Sequence, residues 1–168
     1  MAINKKICLI GAPGVGKTSL VRRFVHSLFD ERYLTTVGVC IEKKVVATAG
    51  GSVTLVIWDL AGDDELERLQ ASYLRGTSAY LLVADGTQAG GIEVVIELQA
   101  RVAAAVGSSV PFVLAINKED LTESWKMTSA QTDRLTARGW TTMNTSAKDG
   151  TKVEDLFRRI AELAVAKE

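Results

Sequence analysis

Apolar residues along the chain fall into two patterns, short unbroken runs and longer stretches with helical spacing. The short runs are rich in β-branched residues, which is typical of strands in a buried sheet. They predict strands over residues 7–11, 37–47, 53–59, 79–85, 111–116 and 141–144. Gly50-Gly51, between the second and third runs, is a hairpin signal, so we expect these two strands to be antiparallel.

The stretches with helical spacing alternate with these runs and predict helices over residues 16–27, 63–75, 93–106, 128–138 and 153–164. Thr128 with Gln131, and Thr151 with Glu154, have the spacing of capping boxes at the starts of the last two helices. Alternating strands and helices predict an α/β fold, an open and mostly parallel sheet with one antiparallel strand and helices on both faces. No linker or repeat interrupts the pattern, and we expect residues 1–168 to form one domain.

One stretch fits a phosphate-binding pattern without mismatch. Residues 11–18 read Gly-Ala-Pro-Gly-Val-Gly-Lys-Thr, between a predicted strand and a predicted helix. Glycines let successive backbone N–H groups turn toward one anion, and the start of the helix favours negative charge there. Lys17 would supply a cation for the terminal phosphates and Thr18 a hydroxyl ligand for magnesium. The predicted nucleotide-binding residues of this loop are Gly14, Val15, Gly16, Lys17, Thr18 and Ser19.

A second motif, Asp-Leu-Ala-Gly at residues 59–62, ends another predicted strand. The carboxylate of Asp59 can hold magnesium opposite Thr18. The N–H of Gly62 can reach a terminal phosphate. Taken alone, Asp-x-x-Gly is more often an ordinary turn, and only the phosphate loop favours the functional interpretation.

Two further motifs predict a guanine base. In Asn-Lys-Glu-Asp, after the fifth strand, Asp120 can accept hydrogen bonds from the ring N–H and exocyclic amine of guanine, a pair that adenine does not offer. Asn117 can tie this loop to the phosphate loop, and the stem of Lys118 can lie over the base. Ser-Ala-Lys follows the last strand, where the N–H of Ala147 can donate to the guanine oxo group. The predicted base-binding residues are Asn117, Lys118, Asp120, Ser146, Ala147 and Lys148.

Composition narrows the picture further. Twenty basic residues balance 20 acidic ones, which implies no general attraction to nucleic acid or anionic lipid. Cys8 and Cys40 both lie in apolar runs and are expected to be buried, reduced thiols. We find no signal peptide, no apolar run that could span a bilayer and no lipidation motif. These features favour a cytoplasmic monomer without a direct lipid anchor.

Taken in order, five phrases resemble those of Ras-superfamily small GTPases, and most of all the Rab branch; they occupy residues 11–18, 33–38, 58–62, 117–120 and 145–148. The resemblance covers residues 5–165 and implies a six-stranded sheet with a site for GTP and magnesium. It implies that Thr36 is the switch threonine, which binds magnesium only when the terminal phosphate is present. It also implies that Phe29 packs edge-on against guanine, although an ordinary core role for this aromatic stays open. Family members work with an effector, an exchange factor and an activating protein, none of which the sequence names.

The chain departs from the family at Asp63, where a glutamine usually orients the attacking water. An ionised carboxylate cannot donate a hydrogen bond, and its charge opposes the charge that the phosphate gains. Pro13, in the phosphate loop, lacks an N–H. We therefore expect a GTPase with a low intrinsic rate, with Lys17, Gly62 and Asp63 as its catalytic residues. The alternatives are a GTP- or GDP-binding scaffold with negligible turnover and a nucleotide kinase or ATPase, against which the guanine motifs argue.

Overall fold

The computed structural model describes residues 3–30, 38–60 and 71–166. The strands are β1 (Ile3–Gly11), β2 (Val39–Thr48), β3 (Gly51–Leu60), β4 (Ala79–Asp85), β5 (Phe112–Asn117) and β6 (Thr142–Asn144). The helices are α1 (Lys17–His26), α2 (Ala71–Leu74), α3 (Gly91–Val106), α4 (Ser129–Ala137) and α5 (Val153–Ala166), with a short 3₁₀ helix at Thr122–Ser124.

The described strands form a six-stranded sheet in the order β2-β3-β1-β4-β5-β6. Every neighbouring pair is parallel except β2 and β3, which form the hairpin that Gly50-Gly51 predicts. The predicted α/β fold with one antiparallel strand is therefore confirmed. Because the strands between the helices are parallel, the ends of β1, β3, β5 and β6 that carry the predicted motifs lie at the same edge of the sheet.

Two apolar clusters cover the two faces of the sheet. Alternate residues of β1 point to opposite faces, so Ile7 belongs to one cluster and Cys8 to the other. On the first face α1 packs against α5, where Phe24 and Phe157 stack with their ring centroids 4.0 Å apart. On the second face the buried side of α3 packs against β4 and β1. The phosphate-loop helix α1 is thus held by the sheet on which it packs and by α5 beside it on the same face.

The structure refines several predicted boundaries. β1 begins at Ile3 rather than residue 7, because Ile3 to Lys6 form a parallel ladder with β3 despite their polar character. The capping box of α4 is present, with the Gln131 N–H donating to Thr128 Oγ1 at 3.2 Å. α5 begins at Val153, one residue later than a cap at Thr151 would require. Of the helix predicted over residues 63–75, only α2 and its flank lie within the described residues.

The prediction of two buried thiols holds for Cys8 and is wrong for Cys40, which is exposed. Cys40 lies on β2, an edge strand of the sheet whose residues are mostly exposed or partly buried. Burial raises the pKa of the Cys8 thiol, and the Thr77 hydroxyl 3.2 Å away only partly offsets this. Within residues 3–30, 38–60 and 71–166, no helix has the length and apolar character needed to cross a membrane.

Candidate nucleotide-binding site

The loop between β1 and α1 depends on its glycines for local reasons. Gly14 and Gly16 have φ angles of 76° and 100°, in the left-handed region that disfavours side chains. A Cβ on Gly16 would lie 2.3 Å from Nδ2 of Asn117. A Cβ on Gly11 would lie 2.5 Å from the carbonyl oxygen of Val83. The glycine pattern thus lets the loop pack tightly on the ends of β4 and β5.

Lys17, at the start of α1, is 7% exposed although it is charged. Its Nζ donates to the carbonyl oxygens of Gly11 at 2.9 Å and Ala12 at 3.3 Å. These bonds stretch the side chain across the loop and compensate part of the cost of burying an ammonium group. A cation held inside a ring of backbone amides, at the N-terminus of a helix, can pair with phosphate oxygens.

Thr18 and Asp59 meet beside this lysine. The Thr18 hydroxyl donates to Oδ2 of Asp59 at 2.5 Å, and Asp59 is 1% exposed at the carboxyl end of β3. The donor set fits magnesium, which prefers oxygen ligands and usually takes one or two carboxylates together with phosphates and water. Among the described residues, no group of three or more His, Cys, Asp and Glu side chains could hold a metal ion by itself. Thr36, Gly62 and Asp63, the other predicted residues of this part of the site, lie outside the described residues.

Asn117, at the end of β5, joins the phosphate loop to the base loops. Its Nδ2 donates to the carbonyl oxygen of Val15 at 3.0 Å, as the sequence predicts. Its Oδ1 accepts from the Thr145 hydroxyl at 3.2 Å and from the Ala147 N–H at 3.3 Å. The residue is 2% exposed, so both ends of the amide are used in a dry environment. One side chain therefore bonds to both halves of the site.

The two predicted base motifs contact each other directly. The Ser146 hydroxyl donates to Oδ1 of Asp120 at 2.8 Å and accepts from the Asp149 N–H at 3.0 Å. This chain of bonds orients the Asp120 carboxylate, which is only partly buried. An oriented and accessible carboxylate is what recognition of two neighbouring N–H groups requires.

Sequence reasoning missed Arg23, which links α1 to the Ser-Ala-Lys loop. Its Nε donates to the carbonyl oxygen of Ala147 at 2.8 Å, and its Nη2 donates to the carbonyl oxygen of Lys148. No motif marks this residue. The only signal is its place on the helix that follows the phosphate loop.

Sequence reasoning also missed Asp85, the last residue of β4. Its Oδ2 lies 2.8 Å from Nζ of Lys118, and its Oδ1 accepts from the N–H and hydroxyl of Thr87 at 2.9 and 2.6 Å. Lys118 itself has a φ of 72°, which is unusual for a residue with a side chain. Burial would raise the pKa of Asp85, but the hydrogen bonds from Lys118 and Thr87 outweigh it, and the pKa lies below its ordinary value. The available signal was an acidic residue ending a predicted strand, as at Asp59.

We expect Asp85→Asn to lower the free energy of unfolding at pH 7 by about 1.5 kcal/mol, the size of one hydrogen bond between charged groups. The folded chain holds the pKa of Asp85 below its unfolded value, so the ionised carboxylate stabilises the fold at neutral pH. This contribution is lost as the pH falls through and below about 4, the carboxyl value of an unfolded chain. Urea denaturation of the nucleotide-free protein between pH 7 and about pH 2 measures it, and a difference between wild type and variant that does not shrink below pH 4 would contradict the ion pair.

Phe29 is half-buried and packs against the cluster formed by α1 and α5. A core role is therefore visible, and its predicted edge contact with guanine stays a prediction.

Comparison with known proteins places these features in a family. The model of the Ras family matches residues 6–166. Ras-related protein RABF2b of Arabidopsis thaliana is 34% identical over 161 residues, which cover 95% of this chain and 80% of that protein. GTP-binding protein yptV2 of Volvox carteri is 32% identical over 164 residues, covering 96% and 76%. Ras-related protein Rab-32 of Homo sapiens is 32% identical over 166 residues, covering 94% and 73%.

Proposed function

Because the chain belongs to the Ras family, we propose that it is a molecular switch that binds GTP and hydrolyses it slowly to GDP with magnesium. The observation that carries this proposal is the junction at Asn117, which connects Val15 of the phosphate loop to Ala147 of the base loop. A guanine nucleotide has a phosphate end and a base end, and this junction holds the two corresponding loops at a fixed separation. The relative from Volvox carteri is named as a GTP-binding protein, which supports the same assignment.

Each predicted residue has a distinct role in the proposal. Lys17 and the backbone N–H groups from Gly14 to Ser19 bind the phosphates, and Lys17 offsets the charge that develops during transfer. Magnesium, with Thr18, Asp59 and Thr36 as its protein ligands, would supply further charge neutralisation on the outer phosphates. Asp120 and Ala147 read the base edge, and Lys118 lies over its face. Gly62 offers its N–H to the terminal phosphate.

The low rate rests on Asp63. A water-orienting glutamine can both accept and donate hydrogen bonds, whereas an ionised aspartate only accepts. Its negative charge, with Asp64 and Glu65 next to it, opposes the charge that the terminal phosphate gains. As a switch, the protein would depend on an exchange factor, an activating protein and an effector that distinguishes the two nucleotide states.

We expect Asp63→Gln to raise the intrinsic hydrolysis rate about tenfold, or about 1.4 kcal/mol in the barrier, without changing nucleotide affinity. Removing the charge relieves repulsion in the transition state. The ring of Pro13 would crowd the longer glutamine side chain beside the terminal phosphate, but charge effects in a dry site commonly outweigh a modest steric effect. Single-turnover hydrolysis of preloaded GTP measures the rate, with Asp63→Ala as the control. If the Gln and Ala variants are equally slow and both slower than wild type, Asp63 is itself the working residue and the slow-switch proposal is wrong.

The scaffold alternative is favoured by the same acidic residue. If preloaded GTP is not turned over even with excess magnesium, the protein is a binding module rather than an enzyme.

A nucleotide kinase or ATPase is tested separately by thermal melting with GDP or ADP, because a bound ligand raises the melting temperature according to its affinity. Equal stabilisation by ADP and GDP would exclude the guanine assignment.

A further inference from the structure

Hydrogen bonds from three places hold the backbone of the Ser-Ala-Lys loop: from the loop itself, from the Asn-Lys-Glu-Asp loop and from α1. The Gly150 N–H donates to the carbonyl of Ser146 at 2.8 Å, and the Ser146 N–H donates to the carbonyl of Thr151 at 3.2 Å. The Thr145 carbonyl accepts from the Glu119 N–H at 3.0 Å. The carbonyls of Ala147 and Lys148 instead accept from the Arg23 guanidinium. These two carbonyls of the loop are therefore held from α1.

From this arrangement we propose that Arg23 is a positioning residue for recognition of the guanine oxo group. This inference rests on the proposed guanine binding and adds a residue that no motif contains. Arginine donates through a planar fork, so two carbonyls held by one guanidinium have a fixed direction. Because the peptide group is planar and trans, turning the Ala147 carbonyl toward α1 turns the Lys148 N–H to the opposite side. The Ala147 N–H, meanwhile, lies on the side of Asn117, 3.3 Å from its Oδ1.

The same helix carries both contacts. Lys17 begins α1 at the phosphate loop, and Arg23 follows six residues later, about 9 Å along the helix axis. A helix that packs on the sheet and against α5 beside it behaves as a rigid spacer, so its position helps to set where the base loop lies relative to the phosphates. Close to Arg23, Gly150 has a φ of 81°, and a Cβ on it would come within 3.7 Å of the arginine Cδ. The arginine stem thus packs under the turn that it holds.

The test compares three nucleotides that differ only at the base edge. GDP carries the 6-oxo group and the 2-amino group, 6-thioguanosine diphosphate replaces the oxygen by a weakly accepting sulfur, and inosine diphosphate lacks the amine. The first arm measures GDP binding by the wild type. If GDP does not bind, the proposed function itself is wrong. The variants are Arg23→Ala and Arg23→Lys, which keeps the charge but not the fork. Arg22→Ala is the matched control, because Arg22 is the exposed neighbour on the same helix.

We expect Arg23→Ala to weaken GDP binding about tenfold, the effect of one hydrogen bond of about 1.4 kcal/mol. The preference for GDP over 6-thioguanosine diphosphate should fall toward one, while the preference for GDP over inosine diphosphate, set by Asp120, should stay as in wild type. Arg23→Lys should behave like Arg23→Ala, and Arg22→Ala like wild type. The positioning role is wrong if GDP binds the wild type and Arg23→Ala leaves the preference for GDP over 6-thioguanosine diphosphate unchanged. It is also wrong if Arg23→Ala lowers this preference and the preference for GDP over inosine diphosphate equally. Wild-type GDP binding by Arg23→Lys, or an equal loss of GDP affinity in Arg22→Ala, would show that positive charge alone acts. Either result would overturn the positioning role as well.

Discussion

Replacing Asp120 with alanine is expected to reduce GDP affinity about a thousandfold, and replacing it with asparagine to move the preference from guanine to xanthine nucleotides. A carboxylate that accepts two hydrogen bonds contributes about 4 kcal/mol, and its loss strands two N–H groups of the base. The Ser146 hydroxyl donates to Oδ1 of Asp120 at 2.8 Å. The same hydroxyl would hold the oxygen of an asparagine amide, so that its NH₂ group faces the base and meets the extra oxo group of xanthine.

Competition between GDP and XDP for the purified variant measures this change. Asp149→Asn is the matched control, because Asp149 is an exposed acid in the neighbouring Ser-Ala-Lys loop and contacts Ser146 through its backbone N–H. An asparagine variant that still prefers GDP would show that Asp120 does not read the base edge. A variant that loses both nucleotides equally would assign Asp120 to the shape of the loop.

Replacing Lys17 with alanine is expected to weaken both GTP and GDP, by about a thousandfold for GTP. The lysine is the buried cation of the phosphate loop, and charge-assisted bonds to two phosphates contribute about 2 kcal/mol each. Thr18→Asn is expected to weaken GTP more than GDP, because magnesium bridges the outer phosphates. Equilibrium binding of both nucleotides, with magnesium and with a chelator, measures these losses.

Melting of the nucleotide-free variants is the control for these two substitutions. Lys17 also bonds the carbonyls of Gly11 and Ala12, and Thr18 bonds Asp59, so either change can loosen the loop without a ligand. If Thr18→Asn lowers GTP and GDP affinity equally, Thr18 is not a magnesium ligand. If Lys17→Ala loses affinity only in proportion to its lowered melting temperature, the lysine acts on the loop rather than on the phosphates.

The elements of the fold were largely predictable because buried strands and helices have apolar residues in short runs or at helical spacing. β4 lies in the predicted place because all of its residues are buried and apolar up to Asp85. The first residues of β1 were not predictable, since Asn4 and Lys5 become strand only by pairing with β3, some fifty residues away. The exposure of Cys40 was missed for a similar reason. An apolar run does not say whether its strand lies at the edge of the sheet or inside it.

The site was predictable wherever chemistry depends on spacing along the chain. Asn117 and Asp120 follow one strand, and Ser146 and Ala147 follow the next, so parallel pairing brings them together. Arg23 was not predictable in this way. Its partners lie 124 and 125 residues further along, and the contact depends on the rotation of α1 about its own axis, which no short motif encodes.

The Asn117 amide has a consequence for how strongly a nucleotide is held. By fixing the distance between two loops, it makes the base and the phosphates behave as two tethered ligands, in which the first to bind raises the effective concentration of the second. Guanosine alone or pyrophosphate alone gains nothing from this distance, so their separate affinities would greatly understate that of GDP. The reverse also holds. A partner that displaces either loop by a small amount need not compete for the nucleotide. Once the distance between the loops changes, the base and the phosphates no longer fit together and both dissociate.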